Sequence, residues 1–194
     1  MLTSHARDLD LAAPLAAFAK RGVARLGPVL TDQAAAALAE RAQALMTGET
    51  AFPGIFYQHD APNGRYENVD FRGGWVGPSP RYRKLDRLQL DPLFLQLIEN
   101  PLFERLAKTV LGDSVALYRA VLWNKAPHVG MAVPWHQDDG RFWGLDRAPF
   151  LQLWVALDDA PVEAGCLEVV PGSHHGGLAT AEGGTIPADV LVEA

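Results

Sequence analysis

The sequence predicts a mainly β domain, a sandwich or barrel, with α-helices flanking it. From Ser114 onward, short β-branched and aromatic runs ("SVALYRAVLWNKA", "FLQLWVALDDA", "CLEVVPGS") follow one another at fairly regular spacing, separated by turn residues. Ahead of them lie segments that carry helix-start and helix-stop signals. The chain has 194 residues, 48% of them apolar, which is enough for one domain over 1–194 with a proper core.

The elements follow in chain order. In "MLTSHARDLDLAAPLAAFAKRG", Asp8 and Asp10 precede the apolar run and Pro14 interrupts it. A secretory signal would put basic charge before a longer run, so this stretch predicts a short amphipathic helix. "GVARLGPVL" has the β-branched content of a short strand. Thr31 and Asp32 stand where an N-cap belongs, before "QAAAALAERAQALM", and Gly48 is placed to stop that helix. Residues 52–82 are rich in Gly, Pro, Asn and aromatics and read as a long loop. Such a loop is either functional or packed by its own aromatics. "DPLFLQLIE" and "NPLFERLAKTVLG" each begin with a capping residue followed by Pro at the first helical position, and Gly112 ends the second. There is no internal repeat and no low-complexity tract.

Composition excludes several function classes. Seventeen basic against twenty-three acidic residues leave a net charge of −6, which does not suggest a nucleic-acid surface. A single cysteine, Cys166, cannot form an intramolecular disulfide, so a reducing, cytoplasmic setting is the simpler expectation. No stretch approaches the roughly 20 apolar residues needed to span a bilayer, so no membrane partner is expected.

"PWHQDD" at 134–139 is the stretch with chemistry in it. On a strand, side chains alternate, so His136 and Asp138 share one face and Gln137 takes the other. An imidazole and a carboxylate side by side can hold a divalent metal. With a second histidine from a distant strand they make the facial triad that leaves open positions on iron(II). The bland alternative is a chance pairing in a chain with six histidines. "PGSHHGG" places His174 and His175 on a turn, as solvated or substrate-facing loop residues. The Gly-x-Ser-x-Gly elbow of a serine hydrolase is absent, and "RGGWVG" fits neither phosphate-loop pattern. Cys166 reads as a small core residue. Trp75, Trp123, Trp135 and Trp143 read as core or pocket wall.

Several of these stretches together resemble the phytanoyl-CoA dioxygenase family of non-haem iron, 2-oxoglutarate-dependent oxygenases. The resemblance begins at "KRGVARLGPVL" and "TDQAAAALAERAQAL" and continues through "NPLFERLAKTVLGDSVALYRAVLWNKAP". It is strongest in "VPWHQDDGRFWG" and "LQLWVALDDAPVEAGCLEVVPGSHHGG". It implies a double-stranded β-helix, a cupin-like jelly roll with helices on its outside. It also implies that His136 and Asp138 are the first two iron ligands and that Gln137 is the residue between them. Trp154 matches an aromatic of the 2-oxoglutarate pocket, Lys84 a lysine that reaches this co-substrate, and Val121 an apolar pocket position. Read from the residues alone, a lysine beside Arg81, Arg83 and Arg87 is more often just a solvated surface charge, and Val121 reads as plain core. The histidine after "PGS" in this family lies near the active-site mouth and is not a ligand.

In the family the third ligand, a distal histidine, lies several dozen residues beyond His-x-Asp, with a carboxylate-binding arginine after it. Here only "GGLATAEGGTIPADVLVEA" follows His175. The expectation is therefore a jelly roll incomplete at its C-terminus, with the third ligand not present in this chain. The implied function is an Fe(II)/2-oxoglutarate-dependent dioxygenase that hydroxylates a small organic molecule, its pocket shaped by the 52–82 loop and the segment Arg141–Trp143. The alternatives are an inactive fragment or pseudoenzyme of that family, and a cupin-type metal enzyme that does not use 2-oxoglutarate. Substrate and oligomeric state are not legible.

Overall fold

The computed structural model describes residues 9–139, 144–145, 151–181 and 183–191. The segment Arg141–Trp143 lies outside these. The chain divides into two compact units, one built from Pro28–Ala132 and Leu153–Cys166, the other from Asp8–Gly27, Val133–Gln152 and Leu167–Ala194.

The first unit holds three of the helices and a sheet. Helix α2 (Asp32–Thr47) starts where Thr31 accepts a hydrogen bond from the Ala34 amide and stops at Gly48, whose φ of 78° favours glycine. Its buried positions, Ala34, Leu38, Ala42, Leu45 and Met46, recur at helical spacing and form one face. Helices α3 (Pro92–Ile98) and α4 (Pro101–Leu111) begin as their Asx-Pro signatures predict. Asp91 accepts from the Leu93 and Phe94 amides, and Asn100 from the Leu102 amide. Asp91 is fully buried and also takes Arg41 Nη1 at 3.3 Å, so one carboxylate caps α3 and ties it to α2.

Strands β1 (Phe56–His59), β2 (Tyr82–Asp86) and β3 (Val121–Trp123) form an antiparallel sheet in that order. Leu85 pairs with Tyr57 and Leu122 and is completely buried, so Leu85→Ala should cost about 3 kcal/mol. Lys84 pairs with Gln58 and Trp123, and Asp86 with Phe56 and Val121. Because side chains alternate, these six residues share the opposite face. A bulge leaves Arg83 without a partner on β1. It lets Arg83 and Lys84, consecutive in sequence, both approach the Trp123 ring, at 4.9 and 5.5 Å from its centroid.

The 52–82 segment is therefore not loop throughout, since it contains β1 and leads into β2. Its aromatics do pack on one another. Tyr82 stacks on Trp75 at 5.5 Å and meets Tyr57 at 5.1 Å and His59 at 4.1 Å. The Tyr82 hydroxyl accepts from the Val76 amide and donates to the Gly77 carbonyl, both at 2.9 Å, which pins the loop to the sheet.

The second unit contains α1 (Ala12–Arg21), β4 (His136–Gln137) paired with β5 (Gly184–Thr185), and the short α5 (Ala188–Leu191). The Gly22 amide donates to Phe18, and the remaining last carbonyls of α1 are satisfied by the "PGSHH" turn. His174 Nε2 lies 3.3 Å from the Ala19 oxygen, His175 Nε2 3.1 Å from that of Lys20, and the Gly172 amide donates to Arg21 at 2.8 Å. A carbonyl only accepts, so both rings carry their proton on Nε2.

Three expected strands differ. Residues 22–30 form none: Gly22 and Gly27 have φ of 72° and 78°, and Pro28 has no amide to donate. Described residues 151–160 and 166–173 also form no strand. A strand exists by its partner, and no partner for either is among the described residues. Leu153, Trp154, Leu167, Val169 and Val170 are correspondingly exposed. Cys166 is half-buried rather than core, and Trp75, Trp123 and Trp135 are each more than a third exposed, so none of these is a core residue.

Candidate functional site

His136 and Asp138 come together as the alternation requires. His136 lies on β4, opposite Thr185, and Asp138 follows one residue past the strand end. His136 Nε2 is 3.6 Å from Asp138 Oδ1. The other ring nitrogen, Nδ1, is 2.8 Å from the Pro134 carbonyl, which must accept. Nδ1 therefore carries a proton, and Nε2 is the ring nitrogen that faces the carboxylate. Asp138 Oδ2 accepts from Gln152 Nε2 at 2.7 Å, leaving Oδ1 to face the imidazole. An imidazole nitrogen and a carboxylate oxygen converging in this way fit a divalent iron ion, a donor set that suits its chemistry. Among the described residues no third His, Cys, Asp or Glu joins them.

Gln137 points away from this pair. Its amide donates to the Gly177 carbonyl at 2.9 Å and accepts from the Ala179 amide at 2.6 Å, so it anchors the segment after the histidine turn. His174 and His175 serve the end of α1, a role no local pattern announces.

Lys84 and Val121 lie on one face of the three-stranded sheet, on adjacent strands, Val121 paired with Asp86 rather than with Lys84. Lys84 is not a solvated charge: its side chain is 15% exposed. Burial pushes its pKa down, with Arg119 adding to the effect, while Asp86, 3.7 Å away, opposes it. Asp86 also holds a close ion pair with Arg119. Around them lies a cleft of about 200 Å³, lined by Phe56, Gln58, Phe71, Lys84, Asp86, Arg87 and Arg119. Three cations against one carboxylate, with two aromatic walls, make a site suited to an anion that carries an apolar portion. Sequence reasoning found Lys84 but missed Arg119, which becomes its neighbour only through the β2–β3 register. Arg83, next along β2, is buried with Asp60 at 3.2 Å from its Nε and Gln58 accepting from its Nη1 at 2.8 Å. Burial lowers its pKa, against the pull of Tyr66 and Asp60.

Trp154 lies in the first unit with its side chain exposed. No helix among the described residues is long and apolar enough to cross a membrane.

The L-proline trans-4-hydroxylase of Streptomyces griseoviridis is 37% identical over 92 residues, which cover 45% of this chain and 34% of that enzyme. Phytanoyl-CoA dioxygenase domain-containing protein 1 of Bos taurus is 35% identical over 89 residues, 46% of this chain and 31% of its own length. The phytanoyl-CoA dioxygenase of Arabidopsis thaliana is 33% identical over 90 residues, 46% and 31% respectively. The chain thus aligns with about a third of the length of these relatives. No solved structure matches. The model of the phytanoyl-CoA dioxygenase (PhyH) family matches residues 18–188, and the chain belongs to that family, whose fold is cupin-like.

Proposed function

We propose that this protein is an Fe(II)- and 2-oxoglutarate-dependent oxygenase, acting in a reducing, cytoplasmic setting, that hydroxylates a small organic molecule within a jelly-roll domain. The observation that carries the reading is the pairing of His136 Nε2 with Asp138 Oδ1 in a member of this family. A relative bearing the name of a proline hydroxylase supports hydroxylation as the outcome.

When bound, iron with 2-oxoglutarate and O₂ supplies the oxidation: one oxygen atom goes into succinate as CO₂ leaves, and the other into a substrate C–H bond. The chain's own residues do the holding. The Pro134 carbonyl keeps the proton on His136 Nδ1 and the lone pair on Nε2. Lys84 offers an ammonium to a co-substrate carboxylate, with Asp86 restraining it. Val121 and Trp154 provide apolar wall, and Gln137 anchors the 177–179 segment. The third metal ligand and the arginine for the distal carboxylate come, in this reading, from outside the described residues.

A second reading, an inactive fragment or pseudoenzyme, is favoured by the count of two donors among the described residues. Incubating the intact protein with Fe(II), ascorbate and 2-oxoglutarate in air decides between them. The oxygenase reading expects succinate release that requires both metal and O₂ and disappears in His136→Ala. Metal retained at the pair without any binding of 2-oxoglutarate would instead make it a cupin-type metal enzyme.

A further inference from the structure

Asp138 has two oxygens, and a metal ligand of this kind needs only one. We propose that Gln152 is the positioning residue for the carboxylate ligand: its amide occupies Asp138 Oδ2 and so commits Oδ1 to the metal. The inference rests on the metal reading above.

The geometry is specific about which atom does what. An ionised carboxylate only accepts hydrogen bonds, so Gln152 must present its NH₂ group, and it does, with Nε2 2.7 Å from Oδ2. The remaining oxygen, Oδ1, is the one that faces His136 Nε2 at 3.6 Å. The imidazole is restrained in the same way, by a bond from its non-coordinating nitrogen to the Pro134 carbonyl at 2.8 Å. Each donor is thus held through the atom that does not face its partner, and the two facing atoms are the ones left for a cation. Without Gln152, Asp138 is free to rotate about its side-chain torsions, to present both oxygens to the metal, or to bond elsewhere. Gln152 lies fourteen residues from Asp138 in sequence, and this bond belongs wholly to the second unit.

A plain surface hydrogen bond would have none of these consequences, because water replaces it at little cost. Gln152 is itself exposed, so its removal should leave the fold intact. The test is to titrate the protein with Co(II) under anaerobic conditions and follow both affinity and the visible absorption of the bound ion. Four forms are compared: wild type, Gln152→Leu, Gln152→Ala and His136→Ala. The proposal expects Co(II) affinity to fall about 10- to 100-fold in both Gln152 variants, the range seen when such supporting bonds are removed. It also expects a changed absorption band, since carboxylate coordination would no longer be limited to one oxygen, with an unaltered thermal midpoint. Wild-type affinity and an unchanged band in both Gln152 variants, with binding lost in His136→Ala, would overturn the positioning role and leave the metal pair standing. Binding that survives His136→Ala would remove the metal pair itself, and Gln152's role with it.

Discussion

His136 Nε2 and Asp138 Oδ1 face each other across 3.6 Å, while the second polar atom of each side chain is engaged elsewhere, one by Pro134 and the other by Gln152. The Pro134 carbonyl takes up the Nδ1 proton, so Nε2 is the ring nitrogen left to act as a ligand.

The turn "PGSHH" should prove structural rather than metal-binding. His174→Ala and His175→Ala are expected to leave metal content at the wild-type level and to loosen α1, whose last carbonyls would lose their donors. Gly22→Ala should act on the same junction. Its φ of 72° disfavours a side chain, and a Cβ there would fall 2.6 Å from His174 Nδ1. A loss of about 1–2 kcal/mol is expected in urea unfolding. Metal lost on changing either histidine would assign the missing ligand to this turn.

Lys84 should show opposed effects on binding and stability. In the intact protein, Lys84→Met is expected to raise KM for 2-oxoglutarate with kcat little changed, the mark of lost uniform binding, and Trp154→Ala should do the same. Burial lowers the Lys84 pKa in the fold, so its contribution to stability is complete only above the ordinary lysine range and is lost as pH falls through the lowered value. At neutral pH the charge is carried at a cost, and Asp86 retains Arg119 without it. The thermal midpoint of Lys84→Met at pH 7 should equal or exceed that of wild type. A clear drop would contradict the burial account.

His59 supplies a pH dependence of definite sign. Burial, helped by Arg81, lowers its pKa, and its Nε2 is buried without a hydrogen-bond partner. Folding therefore favours the neutral ring. This contribution is present above the ordinary histidine value of about 6.5 and lost as pH falls through the lowered one. His59→Phe keeps a ring against Tyr82, 4.1 Å away, and removes the stranded nitrogen. It should stabilise by about 1 kcal/mol and flatten the stability profile between neutrality and mild acid. An unchanged slope in denaturation across that range would exclude His59 as its source.

Asp91→Ala should be among the most damaging single changes in the first unit. It removes two amide bonds at the start of α3 and strands Arg41, so a loss of about 2 kcal/mol or more is expected. Asp91→Asn keeps the cap and should recover part of that loss. Equal midpoints for the two variants would show that the cap contributes nothing.

These residues also show what a reader of the sequence could and could not reach. The caps of α2, α3 and α4 were legible because a cap is a local device: Thr31, Asp91-Pro92 and Asn100-Pro101 announce themselves within a turn of what they bind. The proximity of His136 and Asp138 was legible for the same reason, since the two lie only two positions apart at the end of β4. The burial of Lys84 was not, because it depends on β1 and β3 arriving on either side from positions some thirty residues away. His174 and His175 could not be given to α1, since each bond spans 155 positions. The expected strands around Trp154 and Val169 failed for the complementary reason: their β-branched and aromatic composition is real, but composition supplies no partner.

The central claim is that His136 and Asp138 are metal ligands. Its most direct test is the iron content of anaerobically reconstituted protein in wild type, His136→Ala and Asp138→Ala, with circular dichroism to show that each is folded. Wild type should retain bound Fe(II) after desalting, and each variant should retain almost none. Folded variants that both keep the wild-type iron content would show that the metal, if any, is held elsewhere.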